Sequence, residues 1–82
     1  MDPRAQFGQN VRKARLEAGL AQEDLALRAE LDRTYVSGIE RGIRNPTVIV
    51  IVKLADVLGI PTADLLDGIG KHAPRGRQRP AR

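Results

Sequence analysis

Residues 22–42 read Gln22-Glu23-Asp24-Leu25-Ala26-Leu27-Arg28-Ala29-Glu30-Leu31-Asp32-Arg33-Thr34-Tyr35-Val36-Ser37-Gly38-Ile39-Glu40-Arg41-Gly42. Two short amphipathic segments lie in this stretch, separated by about three residues. The first predicts a helix from about Gln22 to Ala29, with Leu25, Ala26 and Ala29 on its inner face. Glu23 and Asp24 in its first turn suit the positive end of the helix dipole. Ala21 is a poor N-cap, where a Ser or Thr would contribute about 1 kcal/mol more. The second segment predicts a helix from about Arg33 to Arg41, capped by Asp32 and stopped by Gly42.

The second of these helices has two unlike faces. At about 100° per residue, Arg33, Thr34, Ser37, Gly38 and Arg41 fall within one arc of about 140°. Val36 and Ile39 lie opposite, with Leu31 below them. The helix therefore buries an aliphatic edge and presents Arg, Thr, Ser and Arg. Two eight-residue helices with a tight turn near Glu30-Leu31 have the length and spacing of a helix-turn-helix. The polar face then suits a DNA groove: Arg can bond guanine O6 and N7 in bidentate fashion, and Thr and Ser serve several bases. A solvated helix surface is the alternative, since every small helical domain has one. Gly38 costs helix stability, about 1 kcal/mol against Ala, and is expected to permit a close approach by backbone or phosphate.

Outward from this pair, three more helices are predicted. The first runs from about Arg4 to Ala18, with Phe7, Val11, Ala14 and Ala18 as its core stripe and Gly19 as a left-handed stop. Leu20 is a buried connector. After the loop Ile43-Arg44-Asn45-Pro46, Thr47 caps a helix that runs to Leu58 and stops at Gly59. The run Val48-Ile49-Val50-Ile51-Val52 has strand propensity. The bracketing Thr47 and Gly59, with the helical spacing of Lys53 to Leu58, favour helix. A short fifth helix begins near Pro61 and carries Leu65 and Leu66. The expected fold class is all-α: a compact five-helix domain over residues 4–69, followed by a flexible basic tail over 70–82.

Composition narrows the function classes. Eighty-two residues make one small domain. There is no Cys, the one histidine is His72, and the aromatics are Phe7 and Tyr35 alone. A disulfide scaffold, a thiolate metal site and a multi-histidine site are all excluded. No catalytic constellation, metal or cofactor is expected in so short a chain. No apolar run approaches a membrane span and the N-terminal residues lack an apolar signal core, so a cytoplasmic chain without a membrane partner is expected. Basic and acidic residues balance over 1–66. Over 67–82, Lys71, Arg75, Arg77, Arg79 and Arg82 stand against Asp67 alone, so the whole net charge of +4 lies in these last residues. The tail reads either as an arm tracking phosphates or as a solubilising end.

Residues 7–66 resemble the phage repressor/Cro-type helix-turn-helix family, also called the xenobiotic-response-element type. The resemblance rests on Gly19 to Ala26, Val36-Ser37-Gly38-Ile39-Glu40-Arg41-Gly42, Arg44-Asn45-Pro46-Thr47 and Leu54-Ala55-Asp56-Val57-Leu58-Gly59-Ile60. The stretch Leu31 to Arg41 is most similar to the small controller proteins of restriction–modification systems. The resemblance implies a transcription regulator, repressing or activating, that binds a pseudo-palindromic operator in double-stranded DNA as a homodimer; with so little interior, no small-molecule effector is expected. It implies base reading by Arg33, Thr34 and Ser37. It places Gln22, Tyr35, Arg41, Arg44, Asn45 and Thr47 at the DNA backbone or operator centre. It also pairs Arg15 with Glu40 as a structural contact between the first and third helices. The rival is an antitoxin-type protein-interaction module with secondary DNA binding; the tail's lack of apolar anchors weighs against it.

Three departures from the family pattern stand out. Ala21 replaces a capping Ser or Thr, Glu30 stands where Gly is usual, and Ile49, Val50 and Val57 are apolar where most members are polar. With Ile51, Val52, Ala55 and Leu58 assigned to the inner face of the fourth helix, Ile49, Val50 and Val57 form a second, outer stripe. This stripe, with Leu65 and Leu66, is the expected dimer contact.

Overall fold

A computed structural model describes residues 1–70; the basic tail, apart from Gly70, lies outside the described residues. Five helices follow in order: α1 Pro3–Glu17, α2 Gln22–Ala29, α3 Arg33–Glu40, α4 Val48–Leu58 and α5 Thr62–Leu65. There is no strand among the described residues, and no helix is long and apolar enough to cross a membrane. The core is aliphatic apart from Phe7. It joins Phe7 and Val11 of α1, Leu25, Ala26 and Ala29 of α2, Val36 and Ile39 of α3, Leu54, Ala55 and Leu58 of α4, and Leu65 of α5.

Short polar side chains start three of the helices. Asp2, Asp32 and Thr47 accept from the backbone N–H groups of Arg4, Thr34 and Val50 at 2.7, 2.9 and 3.2 Å. At α2 the cap side chain is only a methyl group, and the reverse bond substitutes: the Ala21 N–H donates to Asp24 Oδ2 at 3.1 Å.

Helices α1 to α4 end in the same way. A left-handed residue (Gly19, Glu30, Gly42 and Gly59 in turn) is followed by an aliphatic residue whose N–H reaches the carbonyl five positions back. These bonds are Leu20 to Arg15, Leu31 to Ala26, Ile43 to Gly38 and Ile60 to Ala55. Glu30, at φ 58°, is the one non-glycine among the described residues with positive φ. The α2–α3 turn therefore keeps the glycine geometry at a side-chain cost of about 1–2 kcal/mol.

Helix α1 crosses α3 at backbone contact. A Cβ on Gly8 would stand 2.7 Å from the Glu40 carbonyl oxygen and closer still to that of Ile39. No larger residue permits this crossing. Two residues further along α1, Asn10 Nδ2 donates to the carbonyls of Leu65 and Asp67 at 2.9 and 2.8 Å, which ties down the end of α5.

The apolar faces differ from the sequence expectation in two helices. On α1, Ala18 falls beyond the helix as an exposed cap and leaves the stripe. On α4, the inner face is Leu54, Ala55 and Leu58 with half-buried Ile51, while Val52 is exposed. The expected outer stripe divides. Ile49 is 71% exposed and Leu66 42% exposed, but Val50 and Val57 are half-buried against the core. Leu65 is fully enclosed and offers no surface to a second copy. Val48, 74% exposed, belongs with Ile49 instead. A helix apolar on nearly every side carries no phase, so residue types alone did not orient it.

Candidate nucleic-acid interface

The aliphatic edge of α3 seats it: Val36 and Ile39 are almost completely buried. Arg33, Thr34 and Arg41 are exposed on the other side, Ser37 and Tyr35 half-exposed. Asp32 fixes the start of this helix through the Thr34 N–H, and its own carbonyl accepts from Tyr35 and Val36. The polar residues thus project from a rigid, capped helix rather than from a loop.

A buried polar cluster holds α3 in place. Arg15 Nε donates to Glu40 Oε2 at 2.6 Å and Nη2 donates to Oε1 at 2.9 Å. A third bond runs from Arg15 Nη1 to the Leu20 carbonyl at 2.9 Å. Both charged side chains are enclosed, at 9% and 3% exposure. The hydrogen bond to Glu40 raises the Arg15 pKa above its ordinary value. Gln22 Nε2 adds a bond to Glu40 Oε1 at 3.0 Å. The Glu40 carboxylate therefore gathers α1 and the first residue of α2, while Arg15 ties in the α1–α2 connection at Leu20. Gln22, assigned from the sequence to the DNA backbone, is half-buried and anchored at its amide nitrogen.

The loop after α3 completes the surface. Arg44 and Asn45 are exposed, and Thr47 uses its hydroxyl to cap α4. The first N–H groups of α4, at Val48 and Ile49, have no intrahelical acceptor and point out of the helix start, where an anion is favoured. The Arg44 guanidinium lies over the Tyr35 ring, 5.6 Å from its centroid. Gly38, placed by angle on the polar arc of α3, is buried, because the Arg44 stem covers it.

Three features that help to hold this surface have weak sequence signals. Gly8 is a glycine inside a helix, which is itself unfavourable and points to a close crossing. Asn10 is a poor helix former in mid-helix. The Arg44–Tyr35 stack is long-range in side-chain geometry and leaves no periodic trace. Among the described residues no group of His, Cys, Asp and Glu is placed to hold a metal ion.

Comparison with known proteins gives consistent relatives. The helix-turn-helix family profile matches residues 11–65. Control protein C.BamHI of Bacillus amyloliquefaciens is 48% identical over 62 residues, spanning 74% of this chain and 76% of that protein. The crystal structure of the restriction-modification controller protein C.AhdI from Aeromonas hydrophila superposes with a TM-score of 0.74 at 47% identity, covering 76% of this chain and 94% of that one. SinR, a regulator from Bacillus subtilis, has been solved in complex with DNA; it superposes with a TM-score of 0.72 at 34% identity, over 74% of this chain and 98% of that one.

Proposed function

Since the chain belongs to the helix-turn-helix family of DNA-binding transcription regulators, we propose that it acts as a homodimer on a pseudo-palindromic operator, as the controller of a restriction–modification system. The observation that carries this reading is the exposed face of α3, where Arg33, Thr34 and Ser37 stand on a capped helix whose opposite edge is locked in the core. In this reading those three side chains meet base edges in the major groove. Arg41, Tyr35, Arg44 and Asn45 flank them at the sugar–phosphate backbone, with Gln22 and the α4 start at Thr47. The similarity to the control proteins C.BamHI and C.AhdI supports the assignment to restriction–modification. Residues 1–70 hold neither cysteine nor histidine, and the regulator role involves no chemistry on a substrate.

Exposed Val48, Ile49, Val52 and Leu66 support a two-fold contact near α4 and α5. An apolar groove of about 150 Å³, lined in part by Phe7, Ile51, Leu66 and Ile69, adjoins Leu66. A two-fold dimer of this kind would place its α3 helices one DNA turn apart, about 34–36 Å.

The test is selection from a randomised duplex pool at two salt concentrations. A recovered pseudo-palindrome with half-sites about one turn apart is the expected result. Retention without sequence preference that collapses at high salt would contradict it, leaving only charge-driven binding.

A further inference from the structure

Arg44 does not extend freely from its loop. Its stem is laid across α3, and the contact geometry shows why it can be. A Cβ added at Gly38 would lie 2.8 Å from Arg44 Cγ, 3.1 Å from Nε and 3.5 Å from Cδ. The first distance is closer than a Cβ comes to a neighbour and the second is tight, so a methyl group at position 38 forces the Arg44 stem to shift from this channel. One turn earlier on the same helix, the Tyr35 ring lies under the guanidinium at 5.6 Å. That separation is within cation–π range. Tyr35 is half-buried, so the ring is itself held by the core.

We propose that Gly38 and Tyr35 are positioning residues that seat Arg44 on the recognition helix, making it a fixed part of the α3 surface beside Thr34 and Arg41. This rests on the DNA-binding reading above. Gly38 contributes the groove, Tyr35 the platform and Arg44 the charge. A guanidinium held before DNA arrives loses less side-chain freedom on binding than one recruited from a mobile stem. The glycine is otherwise costly in the middle of an eight-residue helix, since alanine there is the better helix former. Its presence is explained by what its missing side chain admits.

The test separates seating from folding. Gly38→Ala is made in the full chain, alone and together with Arg44→Ala, and affinity is measured on the selected operator. Gly38→Ala is expected to weaken binding about tenfold, the size of one lost Arg contact, with a melting temperature unchanged or raised. In the Arg44→Ala background the same change is expected to have no further effect. In the free protein, the Arg44 methylene resonances are expected to carry a ring-current shift from Tyr35 that Gly38→Ala abolishes. Equal losses in both backgrounds, or a ring-current shift that survives Gly38→Ala, would overturn the proposal. A wild-type chain that binds no duplex overturns the DNA reading and the role of Arg44 in it; the ring-current shift, measured without DNA, tells that failure from a failure of the seat.

Discussion

Arg15 on α1 and Glu40 on α3 meet through two parallel hydrogen bonds, Nε to Oε2 at 2.6 Å and Nη2 to Oε1 at 2.9 Å, with both side chains enclosed. The pair is a forked, charge-assisted contact rather than a loose surface bridge. Breaking it from one side leaves a buried, uncompensated charge. Glu40→Ala is expected to destabilise the domain by about 3–5 kcal/mol, read as a shift of the urea midpoint. A matched apolar pair, Arg15→Met with Glu40→Leu, should recover most of that loss. A single-mutant loss under about 1 kcal/mol would mean that the pair behaves as an exposed one.

The α2–α3 turn carries a different strain. Glu30 holds φ 58° and ψ 43° where the turn demands a left-handed residue. Glu30→Gly removes the side-chain penalty of about 1–2 kcal/mol, offset by the greater freedom of glycine in the unfolded chain, about 0.4–1 kcal/mol. A net gain of about 0–1.6 kcal/mol follows, a rise of up to several degrees in melting temperature for a domain of this size. A lower melting temperature would show that the Glu30 side chain makes a compensating contact.

Two glycines respond to the same substitution in opposite ways. Gly8→Ala pushes a methyl group into the backbone carbonyls of Ile39 and Glu40, which belong to a rigid helix. Overpacking of this kind costs about 1–3 kcal/mol and should reduce DNA binding through loss of folded protein. Gly38→Ala meets only a flexible side chain, so its fold survives. Circular dichroism melts of the two variants distinguish backbone crowding from side-chain displacement, and equal melts would contradict it.

The proposed dimer contact is tested at Ile49, which is exposed and outside the core. Ile49→Glu is expected to give monomers by light scattering without loss of helix content. Val50→Glu also strikes a half-buried position against the core, so it mixes folding with association. A dimer that persists in Ile49→Glu would move the interface away from the start of α4.

The helix boundaries were legible because caps and stops are local chemistry: Asp32, Thr47, Gly19, Gly42 and Gly59 each perform the role their residue type suggests. The amphipathic division of α3 was legible for the same reason, since Val36 and Ile39 contrast sharply with Arg33, Thr34 and Arg41. The phase of α4 was not. Valine and isoleucine surround its first turns, and only tertiary packing separated buried Leu54 from exposed Val52. Leu65 was placed at the surface because a four-residue helix supplies too few positions to define a face. The seating of Arg44 over Gly38 depends on how a loop returns across a helix, which no spacing rule encodes.

The most direct measurement compares wild type and Arg33→Ala on the selected operator, on operators substituted one base pair at a time, and on random duplex. The exposed α3 face reads base edges if Arg33→Ala loses about 1–3 kcal/mol on the operator, loses much less on random duplex, and no longer discriminates at one base pair in each half-site. Equal losses on operator and random duplex, with discrimination intact at every position, would make Arg33 a backbone contact and contradict the reading.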